Sequence, residues 1–164
     1  RVPMPEYAIA EVLNHNLTPD DGVLAPDTIS AYLTTFPQHP RPVVTRPLYL
    51  ILMKEHFSTS DLTERAILYA LVAPDQVAGG EFQNLIRHIE ELGGTVNLEH
   101  PNVILDDLGN ILNRRNIRAV AYAQGGEFAS QLDRILRDEG FANNPQSTYQ
   151  VWIKQPKRAA SLAP

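Results

Sequence analysis

The amino-acid sequence predicts an α+β domain whose core follows the order βαββαβ, preceded by a helical extension. Two observations support this expectation. An apolar run that ends at Gly79-Gly80 is followed by an amphipathic segment that ends at Gly94, and the same pattern recurs with Gly125-Gly126 and Gly140. Short apolar stretches bounded by turn residues, which are typical of strands, lie between and after the two amphipathic segments. We therefore expect a strand–helix–strand unit written twice between residues 66 and 153.

The composition is that of a soluble globular protein with an acidic balance. The chain has 164 residues, of which 43% are hydrophobic and 20% charged, enough for one domain or for a compact domain with an extension. Its 14 Lys and Arg residues are outnumbered by 19 acidic residues, and the net charge of −5 argues against strong electrostatic attraction to nucleic acid. The absence of cysteine excludes disulfides, thiolate metal sites and cysteine nucleophiles.

The sequence says little about where the protein resides. No apolar run approaches the roughly 18–20 residues that span a bilayer, so we expect no membrane partner. A chain without cysteine fits either side of a membrane, which leaves the compartment open; among soluble locations we expect the cytoplasm or the nucleus. Residues 159–164 have the small-residue composition of a linker, and we expect the chain to be a domain of a larger protein.

Residues 1–62 are expected to form the helical extension. Residues 5–14 place apolar side chains on one face at helical spacing, and Asp27 can cap a second short helix that runs through Tyr32. Residues 37–47 are rich in proline, which cannot continue a helix, and they predict a linker or an extended arm.

Residues 47–73 allow two interpretations. Residues 46–57 are predicted to form a buried helix or a central strand, and we favour the helix. Such a helix, followed by one that starts with Ser60 as its N-cap, would suggest a winged helix. Residues 66–73, however, have the apolar continuity and length of a buried strand. Both interpretations stay open, and the second supplies the first strand of the βαββαβ order.

The core domain is expected to cover residues 63–158. After the first strand, the sequence predicts helices over residues 80–92 and 126–139 and strands over residues 117–123 and 148–153. Residues 95–98 and 102–105 are two short candidates for the strand between the first helix and residue 117. Two βαβ units in this order interleave to give a ferredoxin-like antiparallel sheet with both helices on one face. The opposite face is then free, or it is covered by the N-terminal helices.

Three segments resemble the RNA-recognition-motif family. Residues 67–72 fall where that family has its first strand, and residues 149–157 fall where it has its last strand. Residues 118–123, followed by residues 127–132, fall where it has its third strand and the following helix. The resemblance implies that Tyr69 and Tyr122 stack on the bases of single-stranded RNA. A second likeness, to the protein-interaction BRCT domains, rests on the helix that ends at Gly93-Gly94 and on the apolar stretch of residues 103–105.

Two basic clusters are the candidate nucleic-acid site. One leads into the strand at residues 117–123 and the other leaves the last strand, so they could frame one end of the sheet beside two aromatic residues. Basic groups with stacking aromatics are how sheets hold single-stranded nucleic acid. The competing interpretation is a solvated loop and tail. With Tyr69, the candidate residues are Arg114, Arg115, Arg118, Tyr122, Trp152, Lys154, Lys157 and Arg158.

No catalytic, metal or cofactor site is expected. The glycine pairs that precede the two helices match no phosphate-binding motif, and Glu81 and Glu127 place negative charge where an anion would bind. Asp106-Asp107 lacks a third nearby acid. We therefore expect a non-catalytic interaction or assembly module whose partner is another protein or the rest of the parent polypeptide. Binding of single-stranded RNA or DNA is the alternative.

Overall fold

The computed structural model describes residues 4–156, in which helices surround a five-stranded mixed sheet. The helices are α1 (Pro5–Asn16), α2 (Asp27–Leu33), α3 (Pro47–Leu52), α4 (Thr59–Val72), α5 (Gly80–Glu91), α6 (Asn102–Asp106), α7 (Leu108–Arg114) and α8 (Ala129–Asp138). The strands are β1 (Gly22–Leu24), β2 (Arg41–Pro42), β3 (Ile117–Ala123), β4 (Phe141–Asn143) and β5 (Tyr149–Lys154).

The sheet has the order β2-β1-β3-β5-β4. Strand β1 is parallel to both β2 and β3, whereas β5 is antiparallel to β3 and β4. Helix α2 connects β1 to β2, and the chain from α3 to α7 connects β2 to β3. This is a doubly wound arrangement around β1, because the two parallel neighbours of β1 are reached in opposite directions.

Each face of the sheet is covered by helices. On one face, α1 and α2 pack against the small side chains of Ala119 and Ala121 and against Val151. On the other face, the apolar sides of α4, α5, α7 and α8 pack against Val120, Tyr122 and neighbouring strand residues. The two helices of the repeat, α5 and α8, thus share a face, and the N-terminal helices cover the other, which is one of the two arrangements that the sequence allows.

The ferredoxin-like core is not confirmed, since the sheet is mixed and its strand order is different. Residues 66–73, expected as the first strand, form the second half of α4 and its C-cap. The hydroxyl of Ser58 accepts a hydrogen bond from the Asp61 backbone N–H and starts this helix. Helix α4 contacts β1, β3 and α5 and is therefore buried on several sides. That burial explains an apolar run as continuous as that of a buried strand.

Other elements follow the sequence more closely. The structure confirms the helices predicted near α1, α2, α5 and α8, and it confirms the strands predicted at β3 and β5. Residues 95–98 are irregular instead of a strand, and residues 102–106 are helical. Strand β5 is not at an edge of the sheet, because strand β4, which the sequence does not predict, lies outside it.

Residues from the expected N-terminal extension contribute to the same sheet as the expected core domain. Strand β1 pairs directly with β3, and β2 lies within the proline-rich segment at residues 37–47. Val43 and Val44, which follow β2, are buried in the core. The chain on both sides of the predicted boundary at residue 62 therefore builds one sheet.

Candidate functional site

The three aromatic residues of the predicted nucleic-acid site lie inside the core. Tyr69, Tyr122 and Trp152 are each at most 2% exposed. The Tyr122 hydroxyl donates a hydrogen bond to the carboxylate of Asp133 and accepts one from the Trp152 indole N–H at 2.8 Å. In this conformation none of the three rings offers a free face on which a base could stack.

The two adjacent arginines of the first basic cluster are paired with acids of α4. Arg114 donates hydrogen bonds to both carboxylate oxygens of Glu64, at 2.8 and 2.7 Å. Arg115 bridges Glu64 and Asp61, and only 8% of its side chain is exposed. Burial alone would raise the pKa of Asp61, but the hydrogen bonds from Arg65 and Arg115 bring it below its usual value. These charges are largely balanced within the protein.

Two of the remaining basic candidates, Arg118 and Lys154, are placed at one end of the sheet. Arg118 near the start of β3 and Lys154 at the end of β5 lie on neighbouring antiparallel strands. The Lys154 ammonium donates to the backbone carbonyl of Glu139 at 2.6 Å. Lys157 and Arg158 lie outside the described residues. Tyr122 is close to the opposite end of β3, so the structure does not bring the basic and aromatic candidates into one exposed patch.

A cavity of about 530 Å³ lies between α2 and α3, beyond the carboxyl ends of β1 and β2. In open α/β sheets, ligands bind outside the carboxyl ends of the parallel strands, because the diverging connections leave a crevice there. The lining residues belong to α2, to the segment between β2 and α3, and to the start of α3. The lining residues are Asp27, Thr28, Ser30, Ala31, Tyr32, Thr34, Thr45, Arg46 and Tyr49.

Asp27 is the acidic group of this cavity. The Tyr69 hydroxyl donates a hydrogen bond to its Oδ2 atom at 3.1 Å. Its Oδ1 atom is buried and has no hydrogen-bond partner among residues 4–156. Burial raises the pKa of Asp27, the hydrogen bond from Tyr69 opposes that rise in part, and the nearby charge of Glu81 adds to it. Asp27 therefore retains an unused acceptor in a partly dehydrated position.

Thr45 supplies a second unused polar atom. It follows the buried pair Val43 and Val44 and precedes Arg46, whose extended backbone conformation (ψ of 133°) is that expected before Pro47. The Oγ1 atom of Thr45 is buried and, like the Asp27 Oδ1 atom, has no partner within the described chain. Two buried oxygens without partners thus belong to residues that line the same cavity.

Arg46 and Glu81 form an ion pair at the rim of the cavity. The Arg46 Nε atom lies 2.9 Å from each carboxylate oxygen of Glu81, and an Nη2 contact completes a two-pronged interaction. This contact raises the pKa of Arg46 and lowers that of Glu81. The pair joins the start of α3 to the start of α5, and the carboxylate of Glu81 partly neutralises the charge of the Arg46 guanidinium.

Two tyrosines give the cavity aromatic walls. Tyr32 packs edge-on against Tyr7 of α1, with 5.5 Å between the ring centroids, and this contact fixes its ring. Tyr49 of α3 is 50% exposed and lines the cavity from the other side. The site therefore combines apolar and aromatic surface with a few polar atoms, as small-molecule sites usually do.

Helix α3 and the residue after it also carry an exposed apolar surface, here named the α3 stripe. The four side chains are spaced so that they share one side of the helix, and their exposed fractions are substantial. They are Leu48 (37%), Tyr49 (50%), Leu52 (69%) and Met53 (47%). Tyr49 belongs to both the stripe and the cavity.

A second cavity, of about 280 Å³, lies at the carboxyl end of β3 beside Gln124, Gly125 and Asp75. The Gln124 amide is already directed at the backbone carbonyls of Ser147 and Tyr149. We therefore regard the cavity at Asp27 and Thr45 as the candidate functional site.

Neither metal clusters nor membrane spans are found in the part of the chain that the structure describes. No three His, Asp or Glu residues between 4 and 156 are grouped so that they could hold a metal ion. No helix in that range is long and apolar enough to cross a membrane. No protein-family model, curated protein or solved structure matches the chain. The resemblances to RNA-recognition motifs and BRCT domains therefore stay predictions.

Sequence reasoning assigned Asp27 only a capping role and did not single out Thr45. The signal that could have located them is their position. Each is a polar residue that follows a short apolar segment, Val23 to Ala25 for Asp27 and Val43-Val44 for Thr45. Once those segments are known to lie at the carboxyl ends of the adjacent parallel strands β1 and β2, both residues are expected at the same edge of the sheet.

Proposed function

We propose that this domain binds a small organic molecule in the cavity between α2 and α3. The observation that carries the proposal is the cavity itself, of about 530 Å³, which lies beyond the carboxyl ends of two parallel strands. Its lining combines apolar and aromatic residues with a few polar ones, and its volume lies within the range of about 300–1,000 Å³ that accommodates small organic ligands.

The proposal is tested by filling the cavity. Ala31 lines the cavity with an exposed side chain, so Ala31→Trp places an indole there without displacing core residues. Ala142 is an equally exposed alanine on the edge strand β4, and Ala142→Trp is the matched control. The probes are small aromatic and aliphatic amines, alcohols and carboxylic acids. Binding of each compound is measured by NMR, as changes in the chemical shifts of the protein's backbone amides.

We expect some of these compounds to shift the amides of residues 27–34 and 45–49 in the wild-type protein. The Ala31→Trp variant should lose these shifts and the Ala142→Trp variant should keep them. The proposal is contradicted if no compound shifts these amides, or if Ala31→Trp leaves the shifts unchanged.

A second candidate function, an interaction or assembly module, is supported by the α3 stripe. Large contiguous apolar patches are uncommon on monomeric proteins and often mark interaction sites. The partner would be another protein or a further segment of the parent polypeptide. Nucleic-acid binding has less support, because Arg114 and Arg115 are paired with Asp61 and Glu64 and the candidate aromatic rings are buried.

Site-specific photocrosslinking of the protein in the cells that produce it separates these possibilities. A photoreactive residue replaces Leu52 in the stripe or, as the control, Val103, which is 76% exposed on α6. The module hypothesis predicts a discrete crosslinked partner from position 52 only. That partner, purified, should bind the wild-type domain and lose at least about tenfold in affinity for Leu52→Asp. Equal crosslinking from both positions would argue against a role for the stripe.

A further inference from the structure

Residues 95–100, here named the strap, lie against α4 as a segment that pairs with no strand of the sheet. The exposure of its side chains alternates: Val96 and Leu98 are half-buried and pack against the core, whereas the residues on either side of each are less buried. Such alternation is typical of a strand with one buried face, and it explains why the sequence offers residues 95–98 as a strand candidate.

The strap is held to the rest of the protein by side chains alone. Its internal hydrogen bonds run from the backbone N–H groups of Glu99 and His100 to the Asn97 side-chain oxygen, at 3.1 and 3.2 Å. Among residues 4–156, no hydrogen bond joins the strap to a residue outside it. Segments with few buried contacts and few hydrogen bonds to their surroundings open at a lower free energy than the whole fold.

Both ends of the strap are fixed, so that movement between them is possible without loss of the neighbouring helices. Helix α5 ends in a Schellman motif, in which Gly93 has a φ of 88° and the Gly94 N–H donates to a carbonyl of the last turn at 2.9 Å. Gly94 lies so close to α4 that a Cβ atom there would be 3.0 Å from the Thr63 Oγ1 atom. At the other end, the Pro101 carbonyl accepts a backbone hydrogen bond from α6 at 3.0 Å.

The strap separates two cavities that share one side of α4. The first, of about 470 Å³, lies between the start of α4 and residues 93–95. The second, of about 100 Å³, lies between the end of α4 and two residues near the other end of the strap, Leu98 and Pro101. Ile67 lines both cavities, and the α4 residues along them recur every three or four positions, so they form one continuous stripe. They include Thr59, Thr63, Ile67, Ala70 and Leu71.

We propose that the strap opens away from α4 while the rest of the fold stays intact, and that its closed position covers an apolar groove on this helix. Opening joins the two cavities into that groove. Ile67, Ala70 and Leu71 are at most 8% exposed while the strap is closed. The strap is thus a built-in cover that keeps the apolar stripe of α4 away from other chains. Neither cavity shares a lining residue with the cavity at Asp27, so this inference is independent of the proposed function.

Single cysteines test the proposal, because the chain has none of its own. Ala70→Cys places a thiol beneath the strap, Ala121→Cys places one in the core on the other face of the sheet, and Ala142→Cys places one on the exposed surface. The rate at which each thiol of the full chain reacts with 5,5′-dithiobis(2-nitrobenzoate) is measured under native conditions. Urea denaturation gives the free energy of unfolding of each variant, and the rates are corrected for any difference.

The thiol of Ala70→Cys should react at a rate between those of the other two variants. It should be at least about tenfold slower than that of Ala142→Cys, because the closed strap protects it. It should be at least about a hundredfold faster than that of Ala121→Cys, which becomes accessible only when the whole domain unfolds.

Two further substitutions separate opening of the strap from global unfolding. Leu98→Ala removes an apolar contact of the strap and should speed the reaction of Ala70→Cys about tenfold. Ile29→Val weakens the core beneath α2 and should speed the reaction of Ala121→Cys severalfold, but it should leave the reaction of Ala70→Cys unchanged.

Three outcomes overturn the proposal. The thiol of Ala70→Cys reacts as slowly as that of Ala121→Cys, it reacts as fast as that of Ala142→Cys, or Ile29→Val speeds both buried thiols equally. Amide NMR spectra establish that each variant is folded. If Ala70→Cys does not fold, Ile67→Cys takes its place with the same expected order of rates, because Ile67 lines both cavities.

Discussion

Asp61 and Asp27 are both partly buried aspartates, yet their surroundings shift their pKa values in opposite directions. Burial raises the pKa of both carboxyl groups. At Asp61, hydrogen bonds from Arg65 and Arg115 outweigh burial, whereas the single hydrogen bond from Tyr69 does not outweigh it at Asp27. Asp61 is therefore stabilised in its ionised form by the fold, whereas the fold disfavours the ionised form of Asp27.

The arginines beside Asp61 differ in burial, and this gives a matched prediction. Arg115→Met should lower the free energy of unfolding by about 1–3 kcal/mol, because it leaves Asp61 and Glu64 without a largely buried donor. Arg114→Met should cost no more than about 1 kcal/mol, because Arg114 is 57% exposed and its ion pair is solvated. Urea denaturation measures both. Equal effects would contradict the structural role assigned to Arg115.

The opposite pKa shifts also predict opposite pH dependences. Since the folded-state pKa of Asp27 is raised, its ionised form costs stability at pH 7, and Asp27→Asn should raise the Tm there. The gain should vanish below about pH 4, where the carboxyl is protonated in both states. Asp61 has a lowered pKa, so Asp61→Asn should lower the Tm at pH 7, and that loss should fade as the wild-type carboxyl is protonated. Calorimetry at pH 7 and pH 3 checks both signs.

At the scale of the element, α4 begins with Ser58 as its N-cap, two residues before Ser60, which the sequence predicts for this role. The hydroxyl of Ser58 accepts the Asp61 N–H at 3.1 Å, whereas Ser60 is already inside the helix. Ser58→Ala should destabilise the protein by about 1 kcal/mol. Ser60→Ala, an equally exposed serine in the same turn, should be close to neutral. Thermal unfolding of the two variants distinguishes them, and the reverse order would support Ser60 as the cap.

Elements whose pattern is local could be predicted from sequence, and elements defined by distant partners could not. Helices α5 and α8 have strong amphipathic periodicity, and β3 has seven residues of strand character. Strands β1 and β4 have three residues each and β2 has two. Segments this short cannot show the alternation of apolar and polar residues by which a strand is recognised in a sequence. The sequence leaves residues 66–73 open between a helix and a strand, because burial of α4 on several sides removes the polar face that identifies a helix.

At the scale of the molecule, the candidate site depends on topology. Asp27 and Thr45 are far apart in sequence and line one cavity because they follow the parallel strands β1 and β2. Tyr69 reaches Asp27 because α4 packs against β1. Tyr69 was predicted to stack on bases, whereas its hydroxyl instead orients Asp27. A wrong first strand gives a wrong sheet, so the cavity could not be located before the parallel pairing of β1 was known.

The same topology predicts that residues 63–158 will not fold alone. This fragment lacks β1, the parallel neighbour of β3, and it lacks α1 and α2, which cover Ala119, Ala121 and Val151. Circular dichroism and amide NMR of the fragment should show loss of fixed tertiary structure, while residues 4–156 should remain folded. A well-dispersed spectrum from the fragment would instead support the domain boundary at residue 62.

The edges of the sheet restrict how this protein can associate with other chains. One edge is β2, with two residues of which Pro42 has no N–H to donate, and the other is β4, with three residues. Such short edges offer few free backbone groups to an incoming strand, which protects against amyloid-like stacking and against recognition by strand addition. Assembly through this domain would then use side chains on a helical surface, and the α3 stripe is the surface that offers them.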